Sequence, residues 1–453
     1  MEESLDSYID KGLVKTYLFT AVIWLCIATT VGFLLSIKFW WPAFLNNIPY
    51  LAFPRLQMVH VNGVAFAWLF TAFFGVSYYY VPRLTRQKLF WVKGAWLLYF
   101  LWNFIVIAAV IELLLGDNKG LPYAEIPIWI NYIVVVAVVI YAINMFGTIF
   151  TRQENQLYVS LWYLMAAVVW SALNYIIGNW IPYYWATGTE GAMLNGFYFH
   201  NVVGMMVTPL GLAIAYYVLP VAADKPIYSH KLSIIGFFTL AFIYPFTGAH
   251  HYIYSPIPRW VQTIAIVCSV LLIIPVWVVM TNFFGTMKGK WTKLTESMPV
   301  KFIILGSVFY LLTCFQGPLQ SLRSMQRVIH FTDWVVGHAH MALYGAFSLF
   351  IFAAIYLVWP VVSGKELDKI LGSWHFWLGF VGFSIMAMVL WAAGLIQGVL
   401  WIAQVPFLNT VWDIQPYWVI RTFAGAMMVS SFFVLLYNMW KTNKESAQSA
   451  QAD

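Results

Sequence analysis

Seven of the nine histidines in this chain sit at the ends of long apolar runs. His60, His200 and the trio His330, His338 and His340 open three such runs, and His250 and His251 close a fourth. The other two, His230 and His375, fall in or beside polar connections, where an ordinary solvated role is expected. Residues two apart on a helix point about 200° apart, so His338 and His340 in GHAH are poorly placed to share one metal ion. They can serve two ligands on opposite sides of their helix, and two haems flanking one helix satisfy that geometry. His250 and His251 lie only about 100° apart. With His200 from a neighbouring helix they can reach one ion, and imidazole suits copper, iron or zinc. His60 is then left as the opposite axial ligand to one of the GHAH pair. The pattern reads as one six-coordinate haem and one five-coordinate haem, the latter facing a three-histidine metal across a gap where a diatomic molecule can bind.

Such a constellation needs long apolar helices to hold it. The chain has 453 residues, 62% hydrophobic and 9% charged, with a mean hydropathy of +0.77, whereas soluble proteins carry roughly 25% charged residues. This composition excludes a secreted enzyme, a nucleic-acid binder and a disordered scaffold. A helix crosses the lipid bilayer with about 20 apolar residues. Twelve stretches qualify, near 14–37, 57–81, 92–116, 126–150, 158–181, 196–220, 232–254, 261–285, 300–319, 331–359, 372–398 and 417–440. Polar clusters such as PRLTRQK at 82–88, GDNKGLP at 116–122 and MKGKWTK at 287–293 separate them. The expected fold is an all-α membrane protein, one integral domain over 1–453 with its spans between 14 and 440, short cytoplasmic tails at 1–12 and 442–453, and no obvious internal repeat. Alternating orientation brings all seven histidines to one depth, in the outer third of the membrane. Ionisable residues there are rare and face a bundle interior or a cofactor.

An even number of spans puts both termini on one side. Placing them in the cytoplasm assigns 17 of the 24 basic residues to inner loops and tails, among them Arg83, Arg86, Lys88, Lys288, Lys290, Lys293 and Lys441, and leaves seven outside. That asymmetry follows the positive-inside rule, so the net charge of +7 identifies no polyanionic partner. Cys26, Cys268 and Cys314 lie in apolar runs and form neither CxxC nor the CxxCH of covalent haem attachment; they read as buried small hydrophobes. The opening MEESLDSYIDKG is acidic, unlike a signal peptide, so the first apolar segment is expected to stay in the mature protein.

Four local sequences carry a family resemblance: YFHNVVGMMVT at 198–208, YPFTGAHHYIYSPIPRW at 244–260, FYLLTCFQGPLQS at 309–321 and HFTDWVVGHAH at 330–340. With weaker similarity in PYAE at 122–125 and LYVSLW at 157–162, the chain resembles the haem-copper oxidase superfamily, most closely the catalytic subunit (subunit I) of cbb3-type cytochrome c oxidases. The resemblance covers the middle two-thirds of the sequence and implies the subunit I fold in a bacterial inner membrane. Carried over by position, His60 and His340 would ligate a low-spin haem b, and His338 would be the proximal ligand of a high-spin haem b3. His200, His250 and His251 would hold the copper ion CuB. Tyr244, six residues before the histidine pair, would be the active-site tyrosine, which the family joins covalently to the sixth-span copper ligand, here His200.

Chemistry gives such a tyrosine a reason. Splitting O2 without releasing peroxide takes four electrons and a proton at once, more than two haems and one copper hold in place, and a phenol supplies one electron and one proton together. Ser233, Tyr244 and His251 follow at offsets of 11 and 7 residues, within about 20° of one helix face. They read as a polar stripe climbing from the cytoplasmic end to the metal. Tyr310 on the ninth span matches a further position on the cbb3 proton path. Two departures stand out. Gln316 occupies a position where the family usually has glutamate, which argues against a proton or hydrogen-bond function there. Pro122 replaces a second acid three residues before Glu125, which weakens the carry-over of the family's calcium site between the haem propionates.

Those propionates are anionic and would point to the outer rim. Arg323 and Arg327 before the tenth span, Arg55 before His60, and His330 are the expected partners, since arginine suits bidentate carboxylate pairing. Lacking CxxCH and any cysteine pair for a dinuclear copper centre, the chain would receive electrons from separate subunits. The resemblance implies membrane-anchored c-type cytochromes docked on the outer face. The expected reaction is O2 reduction to water coupled to proton uptake and pumping. Two other functions compete. A nitric oxide reductase resembling the cytochrome c-dependent type would hold non-haem iron with an added carboxylate four residues after the sixth-span histidine; here that position is Gly204, and the tyrosine is present, both favouring the oxidase. A solute transporter with histidine relays explains twelve spans but not the GHAH and HH spacings.

Overall fold

Capping chemistry marks where the helices begin. Asp10, Ser229, Ser297 and Asp368 accept hydrogen bonds from the backbone N–H of Leu13, Leu232, Val300 and Leu371, each three residues on, and so satisfy donors that a helix start leaves open. Left-handed residues end four others: Arg86, Gly116, Asp224 and Gly364. The structure, a computed structural model, describes residues 5–452. Twelve helices in it are long and apolar enough to cross a membrane: α1 (Lys11–Trp40), α2 (Phe53–Thr85), α3 (Val92–Leu115), α4 (Ile128–Phe150), α5 (Val159–Tyr184), α6 (Gly188–Ala223), α7 (His230–Tyr252), α8 (Arg259–Met287), α9 (Met298–Ser321), α10 (Asp333–Ser363), α11 (Lys369–Ile402) and α12 (Phe407–Ala452). No strand occurs among the described residues. The all-α membrane architecture is the one the composition implied, with shifted ends. Helix α12 starts at Phe407 rather than near 417 and continues through the segment expected as a tail. Residues 1–4 and 453 of the expected tails lie outside the described residues.

A repeat is present where none was expected. Asn144, Asn282 and Asn438 each accept from the main-chain N–H, and donate to the carbonyl, of a single residue at the start of the paired helix: Trp91, Ser229 and Asp368, at 2.8–3.1 Å. Four residues after each asparagine a threonine hydroxyl, from Thr148, Thr286 or Thr442, returns to that asparagine's carbonyl. The pairs α3/α4, α7/α8 and α11/α12 are thus clamped alike, and the bundle divides into three four-helix units. The sequence signal is only the spacing in NMFGT, NFFGT and NMWKT, too brief to stand out.

Within each unit the second helix is the central one. In α2, α6 and α10, 78, 94 and 89% of the apolar window is buried, against 28–50% in the other nine. Each has a tyrosine four residues before a proline near its C-terminal end, Tyr78 and Pro82, Tyr216 and Pro220, Tyr356 and Pro360, and histidine in its N-terminal half. A span enclosed by protein is where an imidazole can face a cofactor instead of lipid. The repeat therefore accounts for His60, His200, His338 and His340 all standing on these three helices. His375 corrects the expectation of a solvated role. It lies inside α11 at 1% exposure, its Nδ1 3.1 Å from the Tyr356 hydroxyl and its ring against Phe302 and Phe352. His230, at the exposed start of α7, agrees with it.

Candidate metal centre

Backbone irregularities aim the histidines. Wide π-type turns follow the ligand-bearing positions at Gly63–Phe70, Val202–Val207 and Met341–Ser348, an irregularity typical of functional sites. In α7 the regular helix stops at Ile243, one residue before Tyr244: Tyr244 keeps helical dihedrals, but Pro245 has no N–H to continue the ladder of helical hydrogen bonds. Tight turns over Tyr244–Phe246 and Gly248–Tyr252 carry the chain on to His250 and His251. This corrects the reading of Ser233, Tyr244 and His251 as one stripe on a continuous α-helix face, since the second offset of 7 crosses 3-10 turns of a different residue period.

These turns bring three imidazoles together. His200, His250 and His251 each offer a nitrogen within 4.8 Å of the others, with His200 Nδ1 2.9 Å from His251 Nε2. The donor set fits a metal. Ser269 gives its hydroxyl proton to the Ala265 carbonyl at 2.6 Å, so its oxygen accepts from His250 Nδ1 at 2.6 Å and leaves Nε2 of His250 with its lone pair free. His200 Nε2 is buried without a partner. A neutral imidazole held by its other nitrogen is the form that ligates a metal.

On the facing side, His60 and His340 lie parallel, ring centroids 6.2 Å apart and planes 23° apart. Their Nδ1 atoms meet the carbonyls of Ala28 and Val336 at 2.9 and 2.8 Å. A carbonyl only accepts, so both Nδ1 atoms are protonated and both Nε2 lone pairs are free. Two imidazoles about 2 Å on either side of an iron have centroids near this separation, so the pair suits one six-coordinate haem. Gly32 on α1 makes the room, since a Cβ there would collide with the His60 ring. His338 turns the other way, its Nδ1 3.3 Å from Gln316 Oε1. This bond corrects the reading of Gln316: its amide oxygen keeps a hydrogen-bond function although the group does not ionise.

Tyr244 stacks on His200 at 5.0 Å and 25°. A Cβ on Gly204 would lie inside the Tyr244 ring, so the phenol and a side chain at 204 exclude each other. Below Tyr244 come Cys314 and Tyr310, both among its electrostatic neighbours, and Tyr163 beyond them. Tyr163 stacks on Tyr216. Ser233, fully buried near the start of α7, accepts from Asn282 at 2.9 Å, and Tyr216 lies beside both. The hydroxyls of Tyr163 and Tyr216 are buried without a protein partner, the kind of group that ordered water satisfies. Sequence spacing picked out Ser233 and Tyr310 but missed Tyr163, Tyr216, Asn282 and Cys314, which come from three other helices and Tyr310's own.

A family model described as cytochrome C and quinol oxidase polypeptide I matches residues 12–427. The chain belongs to that family. It is 31% identical to the cbb3-type cytochrome c oxidase subunit CcoN1 of Stutzerimonas stutzeri over 97% of this chain and 96% of the relative. It is 30% identical to cytochrome c oxidase subunit 1 of Rhodobacter capsulatus over 99% and 88%, and 32% identical to a subunit 1 homologue of Agrobacterium tumefaciens over 96% and 84%. Its fold matches that of a haem-copper terminal oxidase solved as a dimer by electron cryo-microscopy, with a TM-score of 0.79 at 15% identity, covering 96% of this chain and 84% of the other. The chain is a haem-copper oxidase subunit I, an oxidoreductase of the cytochrome c oxidase type.

At the rim of this oxidase subunit, the arginines expected beside haem propionates are engaged with the protein or exposed. Arg55 donates to the Leu114 carbonyl at 2.7 Å, and Arg323 to the Thr263 hydroxyl at 3.0 Å, while Arg327 is exposed. His330 stacks on exposed Phe331 at 4.0 Å. The arginine that stands closest to the paired imidazoles electrostatically is Arg421 of α12, 8% exposed, its Nη1 without a partner and its guanidinium over Phe39. Asp333, held by Trp418 and Gln397, is its acidic neighbour. An orphaned buried guanidinium nitrogen fits an anionic group of a haem. At the loop between α3 and α4, Glu125 accepts from Asn62 at 2.9 Å. Lys119 donates to Asn179 at 3.0 Å; burial pulls its pKa down to about 8, opposed by the charge of Glu125.

Arg421→Leu is expected to lower the midpoint potential of a haem on His60 and His340, because losing a positive charge in a low-dielectric site favours the oxidised, more positive form. Arg421→Lys should retain most of the wild-type value, and Arg327→Leu should change little. Optical redox titration of the three variants checks this; an Arg421→Leu titration superimposable on wild type contradicts it.

Proposed function

We propose that the chain is the catalytic subunit of a respiratory oxidase that reduces O2 to water, taking electrons from membrane-anchored c-type cytochrome subunits on the outer face and protons from the cytoplasm, where both termini lie. His60 and His340 would hold a low-spin haem b, His338 the high-spin haem b3, and His200, His250 and His251 the copper ion CuB. When bound, these groups supply the electrons and the binding place for O2. The protein holds the imidazoles in their neutral tautomers and keeps a phenol against His200. It also lines the inner side with hydroxyls from Ser233 through Tyr216, Tyr163 and Tyr310 to Tyr244, a string that supports proton delivery and leaves pumping as a further expectation.

The observation that carries the choice of reaction is the mutual exclusion of Tyr244 and a side chain at position 204. A nitric oxide reductase of the type weighed above needs a carboxylate at that position, and the ring fills its space. Tyr244 places an oxidisable O–H beside the metal ligands instead. An apolar cavity of about 480 Å3 lined by α2 to α6 opens at exposed Val135, Val139 and Ile176 and includes Tyr198 and Met206 of α6 in its wall. Glu125 faces Lys119 and Asn62 rather than a second acid, which argues against calcium there.

Measuring O2 and nitric oxide consumption by the purified complex with reduced c-type cytochrome tests this reading. Sustained O2 reduction is the expected result; nitric oxide turnover without O2 turnover would overturn it.

A further inference from the structure

Three imidazoles face the places where haem irons fit, and their outer nitrogens are not treated alike. His60 and His340 donate to main-chain carbonyls at 2.9 and 2.8 Å. His338 alone meets a side chain, Gln316 of α9, and at the longer distance of 3.3 Å. Helix α9 lies in van der Waals reach at this point, for a Cβ on Gly317 would stand 3.9 Å from His338 Cε1. Gln316 lies inside the helix Met298–Ser321, which carries its amide to the imidazole.

The chemistry of this contact has a direction. An Nδ1–H given to a strong acceptor makes the imidazole a stronger donor through Nε2, and a stronger axial donor stabilises the oxidised iron. A carboxylate is a charged acceptor and makes a shorter, stronger bond than a neutral amide. An amide oxygen at 3.3 Å therefore withdraws little of the N–H proton and leaves His338 a weak donor, which favours the reduced iron. We propose that Gln316 is a positioning residue that sets the electron-donating strength of His338, holding the iron bound there at a higher potential than a carboxylate at the same position would. This inference rests on His338 being the axial ligand of a haem.

The test uses the purified complex with its haems loaded, read by resonance Raman spectroscopy of the reduced iron–histidine stretch and by redox titration of the high-spin haem. Gln316→Glu should raise the stretching frequency and lower the midpoint potential. Gln316→Leu, similar in volume and without an acceptor, should lower the frequency and raise the potential; it provides the comparison if the glutamate variant does not fold. Frequencies and potentials unchanged from wild type in folded, haem-loaded Gln316 variants would overturn the inference. An iron–histidine band that survives His338→Ala would instead overturn the ligand assignment beneath it, so the two failures are distinguishable.

Discussion

Tyr244→Phe should keep both haems and the copper yet lose nearly all steady-state O2 reduction, by about 100-fold or more if the phenol contributes as a proton donor typically does. Phenylalanine fills the same space against His200 and Gly204, and the phenol oxygen is not among the nitrogen ligands His200, His250 and His251. Folding and metal content should therefore be spared. What is removed is the one oxidisable O–H among the described residues that stacks on the three-histidine cluster. Nitric oxide reduction, a two-electron reaction for each N–N bond formed, needs no phenol radical and should fall far less. Oxygen-electrode rates and metal analysis on one preparation check the pair of outcomes. Full O2 turnover by a Tyr244→Phe protein with intact metals would remove the main chemical reason for preferring an oxidase to a nitric oxide reductase.

The second large effect separates two residues only two positions apart. His338→Ala is expected to abolish or misligate the high-spin haem, with loss of the carbon monoxide-binding spectrum of the reduced protein. His340→Ala should disturb the low-spin haem while the carbon monoxide-binding haem persists. The structure gives the reason: His340 lies parallel to His60, whereas His338 turns to Gln316 on α9. Reduced-minus-oxidised spectra with and without carbon monoxide distinguish the two. Identical spectra from the two variants would mean that both histidines serve one site, against the geometry described here.

How much of this was legible in the sequence follows from which signals are local. Span number came from apolar length, and the division of His338 from His340 came from helical angle, which the regular turn Asp333–His340 preserves. The stripe from Ser233 to His251 failed for the opposite reason: the same arithmetic was carried past Pro245, where the α-helix gives way to 3-10 turns. Arg421 was missed because it lies on the last span, remote in sequence from every histidine, and the outer arginines nearest the histidines were preferred to it. Tyr163 and Tyr216 are ordinary residues in a chain that is 19% aromatic; only tertiary packing places their hydroxyls between Asn282 and Tyr310. His375 looked solvated because it follows a polar connection, yet Asp368 caps α11 early enough to draw it inside the bundle.

On the proposed function, three imidazoles hold copper opposite a haem on His338. Metal and haem analysis of the purified complex, with the contribution of c-type haem subtracted, tests it most directly. The account predicts one copper and two b-type haem irons per chain. Three irons and no copper would contradict it.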